Sequence, residues 1–204
     1  MKNSKDHDDK VELSKFEWIS QPAEFGFETD RLTIITEPET DFWQRTYYGF
    51  QNNNGHAFLK AVAGDFTFVL KTEFKAVNQY DQCGVILYQD SDNWVKCSVE
   101  YENNQFARLG SVVTSLGYSD WASTDIPSAI TAMWYRFSRK GQDFCLENSL
   151  DGETYQQMRI FHMHTPIDVA RVGVYACSPL KSSFKAVFSN FNLGECTWPD
   201  HQNN

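Results

Sequence analysis

Between Trp94 and Tyr101 the chain alternates residue by residue, with Val95, Cys97, Val99 and Tyr101 on one parity and Trp94, Lys96, Ser98 and Glu100 on the other. Successive side chains leave opposite faces of a strand, so this stretch predicts a strand with one face in a core and one face carrying polar groups. The run from Phe66 to Lys75 repeats the pattern, setting Phe66, Phe68, Leu70 and Phe74 against Thr67, Lys71, Glu73 and Lys75. Similar short runs recur at 16–20, 31–36, 57–62, 66–76, 83–89, 94–102, 106–115, 132–140, 143–149, 156–162, 170–177 and 184–193, with turn residues between them and no long helical pattern.

The punctuation favours antiparallel neighbours. Asn103-Asn104 reads as a type I′ hairpin turn, because Asn tolerates a positive φ, and Lys140-Gly141 and Asp151-Gly152 supply two further tight turns. About a dozen short strands with few helices leave a sandwich or a barrel, and two stacked antiparallel sheets carry that number with the least strain. The expected fold is therefore an all-β sandwich. Residues 1–15 read as a loosely attached polar arm, 16–195 as a single domain and 196–204 as a tail. The aromatic-rich segment 38–56 has no clear period and reads as a long loop over a sheet edge or over the mouth of a groove.

Composition excludes several classes. Eighteen Lys plus Arg stand against 27 Asp plus Glu, a net charge of -9 that repels phosphate backbones, so no nucleic acid is expected. No apolar run reaches the roughly 18 residues that cross a bilayer, and the stretch MKNSKDHDDKVELSK has no apolar leader core, so no membrane and a cytoplasmic address are expected. Cys83, Cys97, Cys145, Cys177 and Cys196 show no zinc spacing and read as free thiols in a reducing compartment.

Five ordered segments then carry a resemblance. Asp81 and Gly84; Trp94, Lys96 and Glu100; Val112, Val113, Thr114, Ser119, Asp120 and Trp121; Ser149, Asp151 and Gly152; and Gly173, Ala176, Ser178 and Pro179 resemble the pattern of the DUF1349 family. The resemblance spans Phe16 to Leu193. It implies a concanavalin A-like jelly roll of the lectin/glucanase superfamily, and it brings no settled activity.

On that fold the candidate ligand-binding residues are Trp94, Lys96, Glu100, Ser119, Asp120 and Trp121, with Arg45 and Tyr47 as wall residues. A sugar needs an aromatic plane for its C–H face and charged or amide groups for its hydroxyls, and this set holds both. The expected function is carbohydrate binding in a groove on the concave sheet. The alternatives are a glycan-processing enzyme with Glu100 as acid or base, tuned by Lys96 or Arg139, and a regulatory module that binds another protein. Glycoside hydrolysis needs a second carboxyl, for which Glu102 shares the parity of Glu100 at about 7 Å. The carboxylate-rich E-x-D-x-x-E strand of the best-known hydrolases on this sandwich does not occur.

Three further motifs are weaker. Ser149–Gly152 reads as a turn in which Asp151 is structural. Asp90-Ser91-Asp92-Asn93 begins like a calcium loop but lacks the later Gly and Glu of an EF-hand, so calcium is not evident here, although many concanavalin A-like domains hold it at a sheet edge. His162 and His164 share one strand face without a third ligand and read as solvent-facing. No cofactor is expected.

Overall fold

A computed structural model describes residues 11–200. The alternating runs pair into two large antiparallel sheets, with strands numbered in chain order. The first has the order β1 (Glu17–Ile19), β6 (His56–Ala63), β15 (Val169–Cys177), β8 (Gln82–Asp90), β9 (Asn93–Tyr101), β10 (Phe106–Ser115) and β11 (Tyr118–Pro127). The second has the order β14 (Gln156–His162), β13 (Asp143–Ser149), β12 (Ala132–Lys140), β7 (Phe66–Phe74), β16 (Lys185–Gly194), β3 (Arg31–Ile35) and β2 (Glu24–Glu28). A separate hairpin joins β4 (Phe42–Gln44) to β5 (Gln51–Asn53).

Parity decides which side chains meet between the sheets. Val95, Cys97 and Val99 of β9 join Phe68 and Leu70 of β7, Tyr135 and Phe137 of β12 and Phe188 of β16 in one core. Each such aliphatic or aromatic side chain contributes about 1.5–3 kcal/mol on burial, which is why both sheets present a mainly apolar inner face, interrupted by the buried Thr72 and Arg139. The opposite parity builds a second cluster on the outer face of the first sheet, where Trp94, Ile86, Val112, Leu59 and Tyr175 pack against Phe42 and Trp43 of the β4–β5 hairpin. Segment 38–56 is thus a folded hairpin lying on the sheet.

Several sequence expectations change. β2, β4, β5 and β11 are strands that the pattern did not predict; β2 and β11 are sheet edges exposed along most of their length, so they need no apolar alternation. Asn103-Asn104 is not a type I′ turn, since neither residue has a positive φ. Instead the Asn103 Oδ1 accepts the backbone N–H groups of Gln105 and Phe106 at 2.9 and 3.2 Å. Of the expected arm 1–15, Val11 and Leu13 pack against the core and Leu13–Lys15 form a 3-10 turn, while residues 1–10 lie outside the described residues. Of the expected tail, the Thr197 N–H donates to the Thr67 Oγ1 at 2.8 Å, and residues 201–204 lie outside the described residues.

Candidate functional site

Register fixes what the outer face of the first sheet offers. Gln82, Glu100 and Arg108 stand side by side across β8, β9 and β10; Gly84, Ser98 and Gly110 form the next rung; Ile86, Lys96, Val112 and Trp121 form a third, reaching β11. The middle rung is small, so the sheet carries a trough between the row holding Glu100 and the row holding Lys96 and Trp121. At Gly110 an added Cβ would lie 2.8 Å from the Trp121 Nε1, so the glycine makes the room in which that indole sits.

The β4–β5 hairpin roofs one side of this trough. Trp43, Tyr48, Phe50 and Asn52 from the hairpin, Tyr80 from the loop before β8, and Pro179 and Leu180 from the loop after β15 enclose an open cavity of about 640 Å³. Polar contacts hold the hairpin down. The Lys96 Nζ pairs with the Asp41 Oδ1 at 3.1 Å, the Gln44 N–H donates to the Ser119 Oγ at 2.9 Å, and the Arg45 Nη1 donates to the Gly117 carbonyl at 2.8 Å and to Asp92 at 3.1 Å. The Pro179 loop is held by Asp81, whose Oδ1 accepts from Ser178 at 2.7 Å and Ser182 at 2.9 Å and whose Oδ2 accepts the N–H groups of Val77 and Asn78.

Glu100 lies on the cavity floor. Its Oε2 accepts from the Gln82 Nε2 at 2.7 Å, and the Gln82 Oε1 accepts from the buried Tyr175 hydroxyl at 3.1 Å, so the amide is oriented by its own partner. Protein surrounds the carboxyl on most sides, and burial pushes its pKa up to about 7; Lys96 opposes the shift while Asp41 and Glu102 add to it. The other charges are paired, Lys96 with Asp41 and Arg108 with Glu102 at 3.2 Å. Tyr80 is likewise pushed up, by burial and by Glu102 and Glu100. The floor therefore offers one protonatable carboxyl, one amide and two neutralised ion pairs.

Of the residues predicted from sequence, Lys96, Glu100 and Trp121 line the cavity, as does Glu102. The others do not. Trp94 is 0% exposed beneath the hairpin, with its indole N–H given to the Ser91 carbonyl, so its ring has no free face. Ser119 is buried, bonded to Gln44 and, at 2.7 Å, to Thr114. Asp120 has the opposite parity to Trp121 and pairs with Arg159 of the second sheet at 2.5 Å. Arg45 is spent on Gly117 and Asp92, and Tyr47 projects into solvent beyond the cavity. Arg139, expected to tune Glu100, belongs to the second sheet and donates to the Gly141 and Ile167 carbonyls.

Sequence reasoning missed Gln82, Arg108 and Gly110: parity puts Arg108 and Gly110 on one face of 106–115, but only the register between strands sets Gln82 and Arg108 beside Glu100 and Gly110 one rung away. Asp41, Phe50 and Asn52 lie in segment 38–56, expected over a sheet edge or a groove mouth, but nothing local singles them out; they reach the site because the hairpin folds back. Ser149–Gly152 is the turn expected: the Asp151 carboxylate accepts the N–H groups of Glu153 and Thr154 at 2.8 Å, which holds its pKa down to about 2. Asp90 accepts from the Asp92 N–H and the Asn93 amide, and Asp92 pairs with Arg45. His162 bonds Asp143 at 2.6 Å on the exposed surface, and among the described residues no group of three His, Cys, Asp or Glu could hold a metal.

Two seven-stranded antiparallel sheets with a roofed trough on one outer face define a concanavalin A-like β-sandwich. The fold is shared with a GH43 protein of Bacillus licheniformis (TM-score 0.70, 13% identity, 91% of this chain and 38% of that one). It is shared also with an alginate lyase of Klebsiella pneumoniae (TM-score 0.65, 10% identity, 94% and 99% of the two chains). The chain belongs to the DUF1349 family, proteins of unknown function, whose pattern matches residues 18–196. It is 30% identical over 183 residues to Regulation of enolase protein 1 of Saccharomyces cerevisiae, covering 90% of this chain and 91% of that protein. The crystal structure of a functionally unknown protein from Saccharomyces cerevisiae superposes with a TM-score of 0.85 at 29% identity, over 91% of this chain and 98% of that one.

Proposed function

We propose that this protein binds a carbohydrate in the roofed cavity. The observation that carries the reading is the pairing of surfaces: aromatic rings of Trp121, Tyr48 and Phe50 surround a floor whose polar groups are Glu100, Gln82, Lys96 and Asn52. A sugar presents an apolar C–H face and a rim of hydroxyls, and a cavity of a few hundred Å³ with few, fixed polar groups suits one. With Lys96 and Arg108 neutralised by Asp41 and Glu102, the floor favours an uncharged ligand over an ionic one.

A glycan array followed by titration calorimetry tests this. Trp121→Ala is expected to weaken binding about tenfold through lost stacking, without loss of folding. A blank array together with no rise in melting temperature would overturn the reading and move attention to a protein partner.

One observation favours a second reading as a glycan-processing enzyme: a carboxyl with a pKa near 7 beside Glu102 in the same cavity is poised to give or take a proton at neutral pH. Chromatography of an array-identified glycan after incubation decides it. Products made by the wild type and lost in Glu100→Gln support catalysis, and an unchanged glycan leaves binding alone.

A further inference from the structure

We propose that the ligand is an extended oligosaccharide chain that leaves the cavity along the turn of the β4–β5 hairpin, with Tyr47 as an outer stacking subsite. The inference rests on the carbohydrate reading above and adds the length and shape of the ligand.

Three observations meet at this turn. First, the rings form a continuous track: Trp43 meets Tyr48 edge-on at 5.3 Å, Tyr48 meets Tyr47 edge-on at 5.0 Å, and Tyr48 and Phe50 lie nearly parallel, 14° apart at 5.4 Å. Trp43, Tyr48 and Phe50 line the cavity, whereas Tyr47 stands outside it and is 93% exposed. A ring so exposed gains nothing from burial within its own fold, and single exposed apolar residues need no explanation; this one continues a track that starts inside a cavity.

Second, the turn is strained and fixed. Arg45 and Tyr47 have φ of 57° and 60°, and Gly49 has φ of 77°. Left-handed backbone at two residues with bulky side chains costs free energy, and it persists only where surrounding contacts impose it. At Arg45 it is held by Gly117 and Asp92 and a guanidinium 6.0 Å over the Tyr118 ring, and at Tyr47 by the Tyr48 N–H, which donates to the Thr46 carbonyl at 2.7 Å. Gly117 is itself required, since a Cβ there would fall 2.2 Å from the Arg45 Nη1. Third, Tyr47 stands in solvent with an edge-on contact to Tyr48 beside it, so its ring is open to a ligand.

A ligand that fits only the cavity would never touch Tyr47. A chain that emerges beside Tyr48 meets it next, and an extended chain continues along the turn whereas a coiled one bends away from it. Equatorial β-1,4 linkages keep a glycan extended, whereas α-1,4 linkages curve it.

Titration calorimetry of the full chain with cellobiose, cellohexaose, xylobiose and xylohexaose, and with maltohexaose as the curved control, tests the proposal. The hexaose of at least one β-1,4 ladder is expected to bind about tenfold tighter than its disaccharide. Tyr47→Ala should bring that hexaose down to the disaccharide level while disaccharide affinity and melting temperature stay unchanged, and Tyr47→Phe should retain the wild-type value. Equal affinity of hexaose and disaccharide or no effect of Tyr47→Ala would overturn the outer subsite, maltohexaose binding as tightly would overturn the extended shape, and each leaves the cavity reading intact. No binding of either ladder overturns this proposal as well, and the glycan array decides separately whether the carbohydrate reading goes with it.

Discussion

The Lys96 ammonium lies 3.1 Å from the Asp41 carboxylate, beneath the hairpin that roofs the cavity and between the rings of Trp94 and Tyr175 at 5.8 and 5.7 Å. Both partners are largely withdrawn from water. Removing one leaves the other charge buried and unpaired, so Asp41→Ala is expected to destabilise the fold by about 3–5 kcal/mol, whereas Asp41→Ala combined with Lys96→Met should recover a large part of the loss. Urea denaturation of both variants checks this; an Asp41→Ala protein as stable as the wild type would show that the pair does not anchor the hairpin.

Glu100 predicts a pH dependence with a definite sign. Its pKa rises from an ordinary 4.5 to about 7 in the folded chain, so between these values the folded state keeps a proton that the unfolded state has lost. The contribution of this group to stability is therefore greatest at low pH and falls as the pH rises through about 7. Glu100→Gln removes that slope, and the amide oxygen still accepts from Gln82. Thermal melts at pH 5 and pH 8 should show the variant gaining on the wild type at the higher pH.

Trp94 and Trp121 should separate cleanly. Trp94 is wholly enclosed, so Trp94→Ala is expected to cost about 3–5 kcal/mol of stability. Trp121 is 37% exposed on an edge strand, and Trp121→Ala should cost less than about 1.5 kcal/mol while changing ligand-dependent fluorescence. Denaturation curves and fluorescence titrations of the two variants measure both quantities; the reverse assignment would place the aromatic surface of the site elsewhere.

Gly110→Ala probes the trough itself. The new methyl would meet the Trp121 Nε1 at 2.8 Å, and an indole at a sheet edge can swing aside. The same methyl would lie 3.0 Å from the Ala122 carbonyl and 3.1 Å from the Ser123 Cβ of the paired strand, so stability should fall by about 1–3 kcal/mol, with ligand affinity reduced several-fold. Calorimetry together with a melting curve separates the two effects.

Ser119→Ala removes the acceptor of the Gln44 N–H and a partner of the buried Thr114 hydroxyl. The expected loss is about 1–3 kcal/mol. Hydrogen exchange should localise it, with faster exchange at Gln44 than at the β9 amides.

How much of this was legible beforehand follows from the range of the forces involved. Alternation in Trp94–Tyr101 and Phe66–Lys75 revealed strands because every other side chain is drawn into a common core, and that selection leaves a local trace in the residue types. β11 left none: an edge strand exposed on both faces accepts Ser, Thr, Asp and Ala alike. Parity also put Lys96 and Glu100 on one outer face. What misled was the assumption that the outer face is wet, since Trp94 and Ser119 share it and are buried by a hairpin whose own sequence shows no period.

The sequence by itself therefore determined the sandwich, the hairpin neighbours β9–β10, β12–β13 and β13–β14 and the row of polar groups on β9, because strand parity and turn chemistry act between near neighbours. Only the tertiary structure decided which of those groups meet a cavity. That choice depended on where the hairpin from Phe42 to Asn53 settled, which is fixed by contacts between Asp41 and Lys96, Gln44 and Ser119, and Arg45 and Gly117, residues 55, 75 and 72 positions apart. Hydrogen bonds and ion pairs across such separations write no periodicity into a chain.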